Sequence, residues 1–444
     1  MIRKNGCLRG AIMRVFTRRR AIAAVALAAA TALGATACGS DPAPGTDEKI
    51  TLNIDVFGNF GYEELYKQYE ASHPNVKIVE RGTGSQLDAH NQQLAQRMAA
   101  NAGAGDIVAI EEGTLLQYLD KANLFVDLGE HGARDLAGNF MPWKYEAAVK
   151  GGKVIGLGTD VGGMAMCYRT DLFAKAGLPT DRKAVSALWP TWDAYIETGK
   201  TFKAKVPDAG FLDAVTNTYN TILMQKAGQG AGYTYFDKSD KSVIDTNPAV
   251  KDAWEISNKI LDAGLSAKLA AWSNEWNAGF KQAKFATIAC PAWMTGYITT
   301  QNGPEGSGKW DIASVPGGSG NWGGSWLAVP KTSKHQKEAA ELIKFLTNPA
   351  GQAAAFKSKG NLPSSPQALK DPAVAAAVNE YFSKAPTGEI FAKGALELKP
   401  VYLGSKNQAV RTAVENALRT VEQGQKNSAA GWAAAVEDGK KAGS

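Results

Sequence analysis

Four cysteines and four histidines in 444 residues leave little material for a metal centre or for thiol chemistry. The histidines (His73, His90, His131 and His335) stand apart, without a partner at the spacing a zinc site needs. No glycine-framed serine elbow occurs, so a serine triad has no anchor in the sequence. An excess of one charge is missing too, once the first 37 residues are set aside. Those residues carry seven basic side chains (Arg3, Lys4, Arg9, Arg14, Arg18, Arg19, Arg20) and no acidic one, leaving 42 basic against 43 acidic in the remainder. A folded part so nearly neutral has no electrostatic footprint for nucleic acid. The run Gly303-Pro304-Glu305-Gly306-Ser307-Gly308-Lys309 imitates a phosphate-binding loop, but Trp310 follows where a magnesium-holding Ser or Thr is needed. Neither a metal nor a cofactor is expected.

What the N-terminal stretch does contain is a signal of three parts. Arg14 to Arg20 is basic, 21–33 is an alanine-rich apolar run, and Ala35-Thr36-Ala37 is a small-residue cleavage site. Cys38 follows at once, with the small residues of a lipobox before it, so lipidation at Cys38 is expected. Either the general secretory or the twin-arginine route suits Arg18-Arg19-Arg20, and either Met1 or Met13 suits the start. Residues 38–48 read as a tether rich in proline and acid. Cys167 and Cys290 remain, each inside a strand-like apolar run. In an oxidising location they either pair as a disulfide or serve as small buried residues.

From residue 50 onward strand and helix patterns alternate. Apolar runs at 50–56, 76–79 and 107–110 are each followed by helical spacing, which predicts an α/β fold with a parallel sheet. In such sheets ligands sit beyond the carboxyl ends of the strands, which selects Asn59, Phe60, Ser85, Glu111 and Glu112 as residues of one rim. The stretch 154–173, VIGLGTDVGGMAMCYRTDLF, joins two apolar runs through Gly162 and Gly163. It reads as a crossing between two lobes at 157–163, with Asp160 at the cleft floor and 164–168 as the second lobe's own strand. Further strands are predicted at 285–290, 311–315 and 326–329, and helices at 337–346 and 429–436. One more helix presents Val410, Val414, Leu418 and Val421 on a single face.

Tryptophan is the positive signal. Six of the eleven (Trp272, Trp276, Trp293, Trp310, Trp322 and Trp326) fall within 55 residues, several beside glycines or strand ends. An indole face is a flat apolar platform for the C–H face of a sugar, while carboxylates and amides bind its hydroxyls. For any single tryptophan, core packing competes with that role. Trp293 and Trp322, next to proline- or glycine-containing loops, are the strongest candidates.

At this point the residues resemble a family. The segments 160–179 (DVGGMAMCYRTDLFAKAGLP), 189–196 (WPTWDAYI), 285–298 (FATIACPAWMTGYI), 323–352 and 409–418 (AVRTAVENAL) are similar in content and order to family 1 extracellular solute-binding proteins. These are the receptors of carbohydrate ABC importers, and the likeness is nearest to actinobacterial lipoproteins of the cello-oligosaccharide type. The resemblance implies a two-lobed α/β fold of the periplasmic-binding-protein type (type II), each lobe a mostly parallel sheet flanked by helices, with the ligand in a cleft between them. The lobes would be 49–158 with 320–361, and 159–319 with 362–444. It implies an extracytoplasmic, lipid-anchored monomer that hands an oligosaccharide, such as cellobiose or cellotriose, to an ABC permease. Phe60, Trp276, Trp293 and Trp322 would supply aromatic contacts. Asn59, Ser85, Glu111, Glu112, Asp160 and Asn217 would bind hydroxyls. An aromatic platform expected before the last-but-one helix is replaced here by Gly404 to Gln408, with Tyr402 the candidate substitute. The rival readings are a secreted glycoside hydrolase using a pair such as Glu111 and Asp160, and a receptor for a polyamine or metal chelate.

Overall fold

The computed structural model describes residues 49–444 except Ser85 and Glu397; Cys38, the leader before it, the tether through residue 48 and the expected rim residue Ser85 lie outside the described residues. Two sheets organise the chain. The first has the strand order β2-β1-β3-β11-β6, built from β1 (Ile50–Asp55), β2 (Val76–Arg81), β3 (Ile107–Glu111), β6 (Gly156–Gly158) and β11 (Ser325–Ala328). A two-stranded ribbon, β4 (Val149–Lys150) with β5 (Lys153–Val154), precedes β6. The second sheet has the order β10-β7-β9-β8, from β7 (Met164–Arg169), β8 (Gly210–Leu212), β9 (Phe285–Pro291) and β10 (Trp310–Ala313).

Period-two burial explains both sheets. On β3, Ile107 and Ala109 pack into one core while Val108 and Ile110 pack into another, so the strand is buried on both sides and reads as a continuous apolar run. On β7, Met164, Met166 and Tyr168 face one core and Ala165 and Cys167 face the other. Cys167 and Cys290 lie on that second face of neighbouring strands and are joined as a disulfide, with Cα atoms 5.4 Å apart.

The α/β class stands, and each sheet is mostly parallel with one reversed strand. β1 runs parallel to β2 and β3, whereas β11 is antiparallel to both β3 and β6. In the second sheet β8, β9 and β10 share one direction, and β7 is antiparallel to both neighbours. The cause is the connectivity. β11 enters the first sheet by returning from the second, against the direction of the βα units already there, and periodicity alone carries no information on strand direction. The last helix also runs further than its apolar spacing predicts, Ser428–Gly443, capped by the Asn427 side chain on Ala430 N.

Three segments pass between the sheets and lie side by side. Residues 159–163 lead from β6 to β7, residues 314–324 lead from β10 to β11, and residues 360–363 follow the helix Pro349–Lys359. Val161 N donates to Leu362 O at 2.8 Å and Trp322 N donates to Gly162 O at 2.8 Å, so the first crossing is tied to both others. Gly162 is required by that approach, since a Cβ there would run into the Trp322 carbonyl. Gly324 has φ +114° and a Cβ there would also meet the Asp160 carbonyl.

Candidate functional site

β3 ends at Glu111, and the helix Glu112–Leu119 starts there. The Glu111 carboxylate caps its own helix, accepting from Gly113 N at 2.7 Å. Glu112 reaches the second crossing, accepting from Asn321 Nδ2 at 2.7 and 2.9 Å and from Gly323 N at 3.2 Å. Asp160, on the first crossing, accepts from Thr159 Oγ1 at 2.6 Å and from Ser325 N at 3.0 Å. These three predicted carboxylates therefore meet where two crossings pass the carboxyl end of β3. Beneath them lies Lys144, fully buried, its Nζ 3.3 Å from the centre of the Trp326 ring and without a hydrogen-bond acceptor.

The electrostatics follow from burial. Loss of hydration pushes Glu111 and Asp160 up from the usual carboxylate range, and Glu112 up to about 8. The same loss pulls Lys144 down to about 8, against the pull of Asp160, Glu112 and Glu111, which favour its cation. From the second lobe Arg411 attracts Glu111 and so opposes that carboxyl's rise. Its Nε donates to Glu415 Oε1 at 2.7 Å, and Glu415 also accepts from Asn220 Nδ2 at 2.6 Å.

A narrow cavity of about 30 Å³ opens at this meeting point, lined by Glu111, Glu112 and Trp322 together with Asn220, Tyr235 and Arg411. Trp322 is buried, and its ring stands edge-on to Trp293, with ring centres 6.3 Å apart. Trp293 is only partly buried; it donates from Nε1 to Trp322 O at 3.3 Å and stacks on Trp272 at 6.2 Å. A larger surface hollow of about 240 Å³ lies between the ends of the helices Pro248–Asp262 and Asn407–Glu422. No tryptophan lines it, and its one buried carboxylate, Glu422, already accepts from Val215 N and Ser266 Oγ.

Other predicted site residues are placed elsewhere. Asn217 and Trp276 both donate to Asp213 Oδ2, at 2.7 Å each, and form a buried knot inside the second lobe. Neither is free for a ligand, because Asp213 needs donors that burial has removed from water. Phe60 is buried against Phe57 and Tyr62 in the first lobe's core, so it is packing and not a platform. Asn59 is exposed, but its Oδ1 is occupied by Gly61 N in a local turn. Tyr402 directs its hydroxyl to Asp240 Oδ1 at 3.2 Å and does not replace the missing platform. Sequence reasoning missed Lys144, Asn220, Tyr235 and Arg411. One signal was available for Asn220, because the helix Val215–Gln229 buries Asn217, Thr218, Asn220, Thr221 and Gln225, far more polar groups than packing alone calls for.

Comparison with known proteins bears on the family and the fold. The family described as bacterial extracellular solute-binding protein matches residues 64–381. A lactose-binding protein of Rhizobium radiobacter is 28% identical over 297 residues, covering 63% of this chain and 65% of its own, a little under two thirds of its length. The arabinooligosaccharide-binding protein of Bacillus subtilis (strain 168) is 27% identical over 321 residues, covering 69% of this chain and 71% of its own. A crystal structure of a family 1 extracellular solute-binding protein shares 41% identity with a TM-score of 0.77, covering 89% of this chain and all of that one. A binding protein rather than an enzyme is thus the reading that stands. With the family match running through both sheets, the chain belongs to the bacterial extracellular solute-binding proteins and has their two-lobed α/β fold.

Proposed function

We propose that the chain is a lipid-anchored extracytoplasmic receptor that binds an oligosaccharide between its lobes and delivers it to an ABC permease. The carrying observation is the cavity in which Glu111, Glu112 and Trp322 face Asn220, Tyr235 and Arg411. Acceptors, donors and an indole surface lining one pocket suit a polyhydroxylated ligand. The relatives named for lactose and for arabinooligosaccharide support the same ligand class. A short β-linked sugar such as cellobiose or cellotriose fits the absence of a platform before the Asn407–Glu422 helix.

In this reading Trp293 and Trp322 stack on the sugar, while Glu111, Glu112 and Asp160 accept from its hydroxyls through their remaining lone pairs. Residues 49–158 with 320–361 form one lobe and residues 159–319 with 362–444 the other. The three adjacent crossings act as the hinge, and the ligand favours closure by its extra contacts with the second lobe. Lipid at Cys38 keeps a monomeric receptor at the membrane surface.

A thermal-shift panel tests the ligand class. Cellobiose, xylobiose, chitobiose, maltose and their longer forms are each added to the purified protein. A true ligand at about a hundred times its Kd stabilises by about 2.7 kcal/mol, which a melting curve resolves readily. A panel without any shift would remove the saccharide assignment.

A further inference from the structure

The narrow cavity has walls of opposite charge. Glu111 lines it from the end of β3, and Arg411 lines it from the Asn407–Glu422 helix. Each favours the charged form of the other, yet among the described residues no ion pair joins them, and Arg411 is paired with Glu415. That pairing uses Arg411 Nε, which donates to Glu415 Oε1 at 2.7 Å, while Asn220 Nδ2 holds Glu415 at 2.6 Å. The two terminal nitrogens of the guanidinium donate to no acceptor among the described residues, and 18% of the side chain's surface stays exposed. Glu111 spends Oε2 on Gly113 N and leaves Oε1 without a donor among the described residues. Asn407, also a lining residue, donates from Nδ2 to Gly113 O at 3.4 Å, so the start of its helix rests on the first lobe at the cavity's edge.

At about 30 Å³ the cavity has room for about two waters, so a sugar ring enters only with the walls apart and meets both groups as they close. Charge decides what can stand between a guanidinium fork and a carboxylate oxygen. A uronate would pair with Arg411 but face Glu111 and Glu112, and an ammonium would pair with the carboxylates but face Arg411. A hydroxyl meets neither conflict, because its oxygen accepts from the fork and its proton is donated to the carboxylate. Resting on the oligosaccharide reading above, we infer that Arg411 sets the specificity: its terminal N–H groups donate to a ring hydroxyl that in turn donates to Glu111 across the seam. The bridge exists only with the lobes closed, so the hydroxyl that is recognised also favours closure. Neutral sugars are thereby selected over their uronic and amino counterparts. A site built to pair a hydroxyl rejects the analogue lacking it far more strongly than an apolar pocket rejects a missing methylene.

The test is calorimetry on wild type, Arg411→Met, Arg411→Gln and Glu111→Gln, with Lys67→Ala as an exposed control on the helix Glu63–Ser72. The probes are the panel sugar that gives the largest thermal shift, its monodeoxy analogues and its uronic acid form. Arg411→Met is expected to lose roughly tenfold or more in affinity for the parent sugar, the loss of a hydrogen bond to a charged group. Wild type should bind one monodeoxy analogue roughly tenfold or more below the parent, whereas Arg411→Met should bind the two within about threefold. A purely structural arginine would leave that ratio untouched. Glu111→Gln should shrink the ratio for the same analogue, and a response confined to a different analogue would overturn the bridge. Arg411→Gln keeps a donor for Glu415 without the reach of the fork, and its deoxy ratio carries the decision if Arg411→Met does not fold. An unchanged ratio in the Arg411 variants, or a uronic acid form bound more tightly than the neutral sugar, overturns the inference and leaves the receptor reading intact. Wild type binding no sugar overturns both.

Discussion

Trp276 and Trp293 stand in one aromatic cluster of the second lobe, both in contact with Trp272, yet they are held differently. Trp276 has no exposure, packs edge-on to Phe280, and spends its one donor on buried Asp213. Trp293 sits at the start of the helix Met294–Asn302, only partly buried, with a long bond to the Trp322 carbonyl. An indole becomes a binding platform when packing leaves one face open, and a structural post when its N–H is committed to an internal carboxylate. Clustering in the sequence does not separate the two; the partner of the indole N–H does.

That contrast is sharpest under truncation. Trp276→Ala should cost about 3–5 kcal/mol of stability, as deletions of buried aromatics do. It also takes a donor from Asp213, whose carboxyl burial already pushes up to about 6 and whose Oδ1 has no partner. Denaturant unfolding measures this, and a loss under 1 kcal/mol would show that the buried knot contributes little. Trp293→Ala should behave in the opposite way, keeping stability within about 1 kcal/mol. Its affinity for sugar should fall by more than tenfold, about 1.4 kcal/mol of binding. Unchanged affinity in titration calorimetry would remove Trp293 from the site and reduce the contrast to one of exposure.

The first lobe's rim was legible because its physics is local. A wholly apolar run at 107–110 is a strand buried on both faces, and the residues after it must lie at the carboxyl end, which placed Glu111 and Glu112 correctly beside the crossing. Asp160 was legible for the same reason, since a crossing bounded by glycines has to pass the floor. The second lobe's share was not. Asn217 looked like a hydroxyl binder until Asp213, four residues earlier, claimed it. Lys144 gave no sign at all, because a lysine in the short helix Pro142–Glu146 reads as surface unless three distant carboxylates are known to surround it. Arg411 acquires meaning only across the seam, where it faces Glu111 from a helix far away in sequence.

Among the floor carboxylates, Glu112 resembles Trp276 more than Trp293, because Asn321 and Gly323 already occupy it. Its effect should accordingly appear in stability against pH. Burial lifts its folded pKa from 4.5 to about 8, so the folded state holds a proton that the unfolded state has released. The stability from this group is complete below about pH 4.5 and is lost as pH rises through about 8. Lys144 has the opposite sign: its folded pKa is lowered to about 8, so its contribution is complete above 10.5 and is lost as pH falls through about 8. Together they place a shallow minimum near pH 8. Glu112→Gln keeps an acceptor for Asn321 and Gly323 but removes the acid limb. Its melting temperature should rise relative to wild type between pH 5 and pH 8, the gap widening as pH climbs. Parallel curves for the two proteins across that range would mean that Glu112 stays ionised throughout, with the Lys144 cation and the Asn321 amide together outweighing burial.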